Sequence, residues 1–392
     1  MKVCIATTSL PRWSGDTRSP FILEAARAIR AQGVDVRVVT VHSPGAKTRE
    51  VLESIEVVRS RYLWPERLEV LQKEGGGLPV MWRKNRLARL TLIPFFIAHC
   101  LAVTRFARDC DLIHANWTLS GIAAWSGQMF HKKPYIVTVQ GSDVYQAARI
   151  PFAGILTEMA LNEAGRVLTL SHSLAQATRS LGVDSQRIEI LPNGVDIERF
   201  HPSTAERQPY ILFVGSLIER KGVKYLIQAM PQILRSFPDY RLVIVGEGPQ
   251  LGQLCRLVSS LSIDKGVDFV GPKSPCEIHE WMQHATLFVL PSVEEGLGVV
   301  LLEALASGTP CVATLVGGIP DVVSSDVGIL VPPADSDALA GAVLRLLEDR
   351  HLWDTMSESA RARAVTQFSW EMIGSRLVQI YRNVLDSKQA SP

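Results

Sequence analysis

Along the first forty residues the apolar positions change period. Residues 3–7 form a short apolar run and 11–20 are turn-rich; Ile22, Ala25, Ala26 and Ile29 then recur at helical spacing up to Gly33. Val34, Val36, Val38 and Val39 make a β-branched strand after it. Short apolar strands follow at 112–115, 135–139, 167–170 and 188–191, with helical stretches between them. The pattern restarts after Pro209 with a strand at 210–214, a helix at 223–234 and a strand at 241–245. A helix at 250–261 and strands at 267–270 and 287–290 come next, and 335–385 is almost wholly helical by pattern. This alternation predicts parallel, doubly wound sheets. The turn-rich segment Pro192-Asn193-Gly194-Val195-Asp196 suits a hinge, so the expected fold class is α/β, with two Rossmann-like domains facing across a cleft. Ligands in such sheets lie at the carboxyl ends of the strands, where loops meet helix N-termini.

Length agrees, since 392 residues suffice for two domains or three. With 47% hydrophobic and 20% charged residues, the composition excludes a disordered, collagen-like or disulfide-scaffold chain. The net charge is only +2, but residues 1–200 hold 25 Lys and Arg against 18 Asp and Glu, and residues 201–392 hold 16 against 21. A basic half is expected to meet an anionic partner, and uneven drift of surface charge explains it equally well. The six cysteines are scattered without a CxxC pair, which argues against structural zinc and disulfides. The N-terminal apolar run is too short for a signal-peptide core. Residues 90–103, the most apolar stretch, contain Pro94 and His99 and fall short of the ~20 residues that span a bilayer. A cytoplasmic, reduced protein is expected.

Three loops carry candidate chemistry. Gly215-Ser216-Leu217-Ile218-Glu219-Arg220-Lys221-Gly222 follows a strand, and its two cations suit a diphosphate or, equally, solvent. Val245-Gly246-Glu247-Gly248-Pro249 allows close backbone approach to a ligand, although Leu251 breaks the GxGxxG dinucleotide fingerprint and a plain tight turn explains most of it. In the third loop Glu295 precedes the expected helix and Glu303 lies about two turns along, on the order of 12 Å away by helical rise. That is wider than either glycosidase spacing, ~5–5.5 Å for retaining and ~6.5–9.5 Å for inverting pairs. The two carboxylates therefore read as hydroxyl acceptors at opposite ends of one elongated ligand. Free amides around Leu297–Val300 between them suit a phosphate. A surface-helix role for Glu303 fits its apolar neighbours less well.

Ile190-Leu191-Pro192-Asn193-Gly194-Val195-Asp196 with Phe200 and Pro202, the segments 213–222, 243–249 and 295–303, Gly308-Thr309-Pro310 and Gly317-Gly318-Ile319-Pro320-Asp321 occur in that order. Together they resemble family 4 of the retaining glycosyltransferases, which have the GT-B fold. The resemblance implies a retaining, metal-independent hexosyltransferase that moves a sugar from a nucleoside diphosphate donor to a hydroxyl acceptor. Cell-surface polysaccharide or lipid-linked glycan synthesis is the implied setting. It implies an acceptor-binding domain over 1–195, a nucleotide-sugar domain over 196–369, and a final helix at about 370–388 packing back on the first domain. No cofactor is implied; the substrate is a nucleotide sugar, UDP- or GDP-linked.

Residue by residue, the resemblance gives Arg220 and Lys221 the diphosphate, Glu295 the sugar hydroxyls and Glu303 the ribose. Gly215, Ser216, Gly246, Gly248, Gly296, Leu297, Gly298 and Val299 would line the donor, and Gly15 and Asp16 would close over it. His114, Gln140 and Asp143 are the expected acceptor or sugar contacts, with a satisfied structural His114 as the equal alternative. Three positions depart from the family pattern: Ser216 replaces an Arg, and Gln140 and Asn116 stand where His is common. No carboxylate is placed as a nucleophile, so the acceptor is expected to attack on the face the diphosphate leaves, a phosphate oxygen taking its proton. Fixed positive groups would stabilise the leaving charge, and domain closure would exclude water.

On the acceptor side, residues 59–109 carry ten Lys and Arg (from Arg59 to Arg108) against four acids, with Trp64, Trp82, Phe95, Phe96 and Phe106 interleaved. Such a segment suits an anionic membrane surface or a lipid-linked acceptor, placing the protein peripherally on the inner face of the membrane. The apolar run 90–103 reads equally as the core face of a helix. No nucleic-acid motif appears. The competing classes are a catalytically silent nucleotide-sugar-binding or scaffold protein of the same fold, a nicotinamide oxidoreductase, which lacks the glycine fingerprint, and a sugar-nucleotide epimerase.

Overall fold

The computed structural model describes residues 1–16, 18–72, 86–147 and 151–389. The chain forms two compact units, Met1–Leu191 with the segment from Ile373 onward, and Pro192–Met372.

In the first unit the strands are β1 (Lys2–Ala6), β2 (Asp35–Val41), β3 (Arg49–Leu52), β4 (Ile55–Ser60), β5 (Leu112–Asn116), β6 (Tyr135–Val139), β7 (Arg166–Thr169) and β8 (Ile188–Ile190). They pair in the order β3-β4-β2-β1-β5-β6-β7-β8. β5 and β6 are buried along their whole length, as strands covered on both faces must be. Their polar residues, His114 and Asn116 in β5 and Thr138 in β6, are buried with the apolar ones. The helices are α1 (Pro20–Ala31), α2 (Arg86–Phe106), α3 (Thr118–His131), α4 (Ser142–Ala147), α5 (Pro151–Asn162) and α6 (His172–Ser180). β3 pairs antiparallel with β4 and was not expected from the pattern. Its two-residue turn, Glu53-Ser54, has φ of 49° and 69°. Those angles are the ones a tight hairpin requires, and they are usually announced by Asn-Gly rather than Glu-Ser.

The second unit contains β9 (Gln208–Val214), β10 (Arg241–Val245), β11 (Val267–Gly271), β12 (Ala285–Leu290), β13 (Cys311–Thr314) and β14 (Gly328–Val331). These pair in the order β11-β10-β9-β12-β13-β14, every pair parallel. The helices are α7 (Val223–Ser236), α8 (Leu251–Ser260), α9 (Pro275–His284), α10 (Val299–Ala306), α11 (Ile319–Val322), α12 (Ser336–Glu348) and α13 (Arg350–Arg363). The expected class, α/β with two doubly wound parallel sheets, is the one the chain adopts.

The last helix, α14 (Trp370–Gln389), begins in the second unit and from Ile373 belongs to the first. There Tyr381 is fully buried, and Arg376 donates to the carbonyl of Ile190. Gly374 lies so close to the Ala28 carbonyl that a Cβ would stand 2.9 Å from it. Among the described residues no helix is long and apolar enough to cross a membrane.

Strand order reverses once in each sheet, between β1 and β5 and between β9 and β12. Loops leaving adjacent strands in opposite directions open a crevice at such a point, and ligands bind there.

Candidate functional site

At the reversal in the second unit, the loops after β9 and β12 carry Lys221 and Glu295. Their side chains form an ion pair although they are 74 residues apart in sequence. Both are half-buried, with side-chain exposures of 17% and 13%. Ser292 Oγ donates to Glu295 Oε2 at 3.4 Å, and the Gly296 N–H donates to Oε1 at 3.1 Å. Ser292 is itself fixed, because its carbonyl accepts the Thr314 hydroxyl at 2.5 Å and both residues are fully buried.

Backbone contacts hold the two loops together. The Val293 N–H donates to the Arg220 carbonyl at 2.7 Å. Gly222, at φ 63°, passes so close to Pro291 that a Cβ would lie 2.0 Å from its carbonyl oxygen. Gly317, at φ 54°, crosses Glu295 more tightly still, with 1.8 Å between a hypothetical Cβ and the Glu295 carbonyl oxygen. No side chain fits at either crossing. The neighbouring β10 loop joins the same construction. The Leu217 N–H donates to the Glu247 carbonyl at 2.8 Å, and a Cβ on Gly248 would lie 2.4 Å from the Leu217 carbonyl oxygen.

Thus Gly215, Ser216, Arg220, Lys221, Gly246, Gly248 and Glu295 come together at the carboxyl ends of β9, β10 and β12. The Arg220 side chain and Ser216 are exposed there. Helix α10 starts after Gly298, which has φ 80°, and the Leu301 N–H turns back to the Gly298 carbonyl. The N–H groups of Val299 and Val300 precede any i−4 helical acceptor and face outward from the helix start. Leu297 is buried, and Glu303 is half-buried one turn into α10. Sequence reasoning missed Ser292 and Thr314: Ser292, three residues before Glu295, carries no distinctive signal, and Thr314 acts through the Ser292 carbonyl 22 residues away.

The reversal in the first unit lies between the loop after β1, which holds Gly15 and Asp16, and the end of β5. Asp16 takes Arg12 in a two-point ion pair, Nε at 2.8 Å and Nη2 at 3.2 Å. Burial pushes the Asp16 carboxyl up, but the Arg12 guanidinium and N–H outweigh it and hold the group below the ordinary carboxylate range. Trp13, Ser14 and Gly15 are exposed at the tip of this loop.

Of the two readings of His114, the structure favours the satisfied structural one. His114 is 3% exposed; its Nδ1 meets the Tyr381 hydroxyl at 2.7 Å and its Nε2 the Thr138 hydroxyl at 2.7 Å. Burial pushes its pKa down to about 3. A neutral ring with both nitrogens satisfied inside the unit has nothing left to offer a ligand. Asp143 is likewise engaged inside the unit. Its carboxylate accepts the N–H groups of Gln140 at 3.1 Å, Gly141 at 2.9 Å and Thr118 at 2.9 Å, tying the β6 loop to the start of α3. Burial pushes its pKa up against the pull of those amides. Gln140 Nε2 donates to Asn116 Oδ1 at 3.4 Å, so two of the departures from the family pattern are partners. Beside them Trp117 has φ 67° and ψ 151°, a conformation that side chains other than glycine rarely hold.

In the basic stretch, Lys73, Glu74, Trp82, Arg83 and Lys84 lie outside the described residues. Arg59 is corrected as a surface cation: it is buried, pairs with Glu50 and donates to the Pro11 carbonyl at 2.8 Å. Phe95 is core, fully buried on α2.

The model of the glycosyl transferases group 1 family matches residues 195–363, and that of the glycosyl transferase 4-like domain matches residues 19–194. A D-inositol 3-phosphate glycosyltransferase of Corynebacterium urealyticum is 31% identical over 333 residues, covering 77% of this chain and 78% of that protein. Among solved structures, sucrose-phosphate synthase from Thermosynechococcus elongatus is similar over 99% of this chain and 100% of its own, with TM-score 0.79 and 24% identity. Anabaena HepE in complex with UDP is similar over 98% of this chain and 100% of its own, with TM-score 0.77 and 19% identity. Both share the fold.

Proposed function

The chain belongs to the group 1 glycosyl transferases, and from that premise we propose how its second unit transfers a sugar from a nucleotide-sugar donor to an acceptor. The observation that carries the reading is the Lys221–Glu295 pair at the strand reversal, beside a helix start with outward amides. Lys221 and Arg220 receive the diphosphate, and the Val299 and Val300 N–H groups point at its oxygens. Glu295 is set by Ser292 and the Gly296 N–H to accept sugar hydroxyls, and Glu303, further along α10, takes the ribose. The glycines of the β9, β10 and β12 loops let the backbone approach the donor. In the first unit the Gln140 carboxamide stands beside Asn116, to which it donates. Asp143 positions Gln140 through the backbone.

The acceptor hydroxyl attacks the anomeric carbon on the face from which the diphosphate leaves. As the new C–O bond forms, the bond to the phosphate oxygen breaks, and that oxygen takes the hydroxyl proton. Configuration is retained, and the leaving charge rests on Arg220, Lys221 and the helix amides without a metal. The donor is UDP- or GDP-linked; bound UDP in the similarly folded HepE supports UDP. The acceptor is a glycan or a lipid-linked glycan, met by residues 1–195 in the cytoplasm at the inner face of the membrane. Residues 196–369 hold the donor. A silent binding protein is not favoured, since the curated relative named above is itself a glycosyltransferase.

Nuclear magnetic resonance of the product tests this. An α-linked product from an α-linked donor, formed at equal rate with and without chelator, is expected. A β-linked product overturns retention, and loss of activity on chelation overturns metal independence.

A further inference from the structure

We propose that the outer face of α2, α3 and α5 is a docking surface for an anionic lipid bilayer. This deepens the placement at the membrane given above and rests on it for the class of partner.

α2 is apolar on two sides. Phe95, His99 and Val103 are fully buried at steps of four residues. Leu90, Ile93, Ile97 and Leu101, at steps of three, four and four, are 75%, 68%, 51% and 66% exposed. Such spacing lines them up on one side of the helix, over about 16 Å by helical rise. α3 packs directly on α2: His99 Nε2 meets Ser120 Oγ at 3.1 Å, and a Cβ on Gly127 would lie 2.8 Å from Thr104 Oγ1. α3 exposes Met129 and Phe130 at its end, and the adjacent α5 exposes Ile155. Single exposed apolar residues are ordinary, but a set of this size on three neighbouring helices marks a docking face.

Charge identifies the occupant. Neither α2, with 21 residues, nor α3, with 14, contains an Asp or Glu. Where these helices end, Arg105, Arg108 and Lys132 are exposed. Asp109, the nearest acid in sequence, is held by Lys2 and Arg37. The one acid of α5, Glu158, lies against Gly182, whose hypothetical Cβ would be 2.5 Å from its Oε1. Trp64, 79% exposed and capped by Arg61 at 5.4 Å, follows Tyr62, whose ring packs on Phe95 of α2. An apolar strip bordered by cations and an exposed tryptophan matches the boundary between acyl chains and anionic headgroups. A second copy of the chain would set these cations against their own kind.

The test is sedimentation of the full chain with vesicles of phosphatidylglycerol and phosphatidylcholine, or of phosphatidylcholine alone, with donor binding measured in parallel. Binding to the anionic vesicles at low salt is expected, weakened about tenfold at high salt. The double variant Ile93→Ser/Ile97→Ser should lose about tenfold at both salts, and Arg105→Glu/Arg108→Glu should lose most of its preference for the anionic vesicles. Both variants should keep the donor affinity of the parent. Absence of binding to anionic vesicles, or undiminished binding by the serine variant, overturns the proposal. So does a concentration-dependent dimer that the serine variant abolishes, since the face then belongs to a second copy. Vesicle binding without donor binding instead refutes the transfer reading and leaves the surface standing.

Discussion

The two strand reversals have the same topology and opposite contents. In the first unit the polar groups beside the reversal are consumed by the fold: both nitrogens of His114 are bonded, Asp143 holds three backbone N–H groups, and Asn116 accepts from Gln140. In the second, Lys221 and Glu295 are half-buried and paired with each other, in loops whose crossings only glycine can make. Satisfied groups build a wall. A cation and a carboxylate, each able to exchange its partner for a ligand, build a site. The comparison teaches that position at a switch point nominates a residue, and the state of its hydrogen bonds decides whether it is available.

Substitutions separate the two regions. Lys221→Ala should have the largest effect, lowering kcat/KM about a thousandfold with the melting temperature little changed, because it removes charge aimed at the leaving group. Gly317→Ala should cost about a hundredfold in the same assay, since its Cβ would displace the Glu295 backbone. Gln140→Ala should cost about fivefold, the worth of one neutral hydrogen bond. His114→Phe should leave transfer within about twofold yet lose ~1–3 kcal/mol of stability in denaturant, by stranding the Tyr381 and Thr138 hydroxyls.

The last variant also has a pH signature. An unfolded imidazole takes a proton near 6.5, the buried one only near 3, so between those values the unfolded chain binds more protons. Stability is therefore complete above about 6.5 and falls as the pH drops through that window. The Phe variant should show a shallower acid slope in denaturant melts at several pH values. A loss of transfer in His114→Phe comparable with that of Lys221→Ala would erase the contrast between the two regions.

Much of this was legible in the chain. Tyr135–Val139 and Arg241–Val245 announce themselves because a strand buried on both faces is mostly apolar, here broken only by Thr138 and by Arg241 at an exposed start. β13 and β14, four residues each, were missed, whereas β7 and β8, no longer, were read from the pattern. Lys221 and Glu295 were visible as candidates from their loops, but their pairing spans 74 residues and is a property of the sheet order. His114 stayed open between two readings for the same reason in reverse. Its partner Tyr381 is 267 residues away on α14, so nothing near His114 shows that the ring is already satisfied.

The central claim is that the second unit grips a nucleotide sugar by its diphosphate through fixed positive groups. Isothermal titration of the full chain with UDP- and GDP-sugars, with and without chelator and repeated on Lys221→Ala, tests it most directly. The account predicts saturable binding of one donor class, unchanged by chelator and at least about tenfold weaker in the variant. Binding that disappears with chelator, or that Lys221→Ala leaves intact, would contradict it.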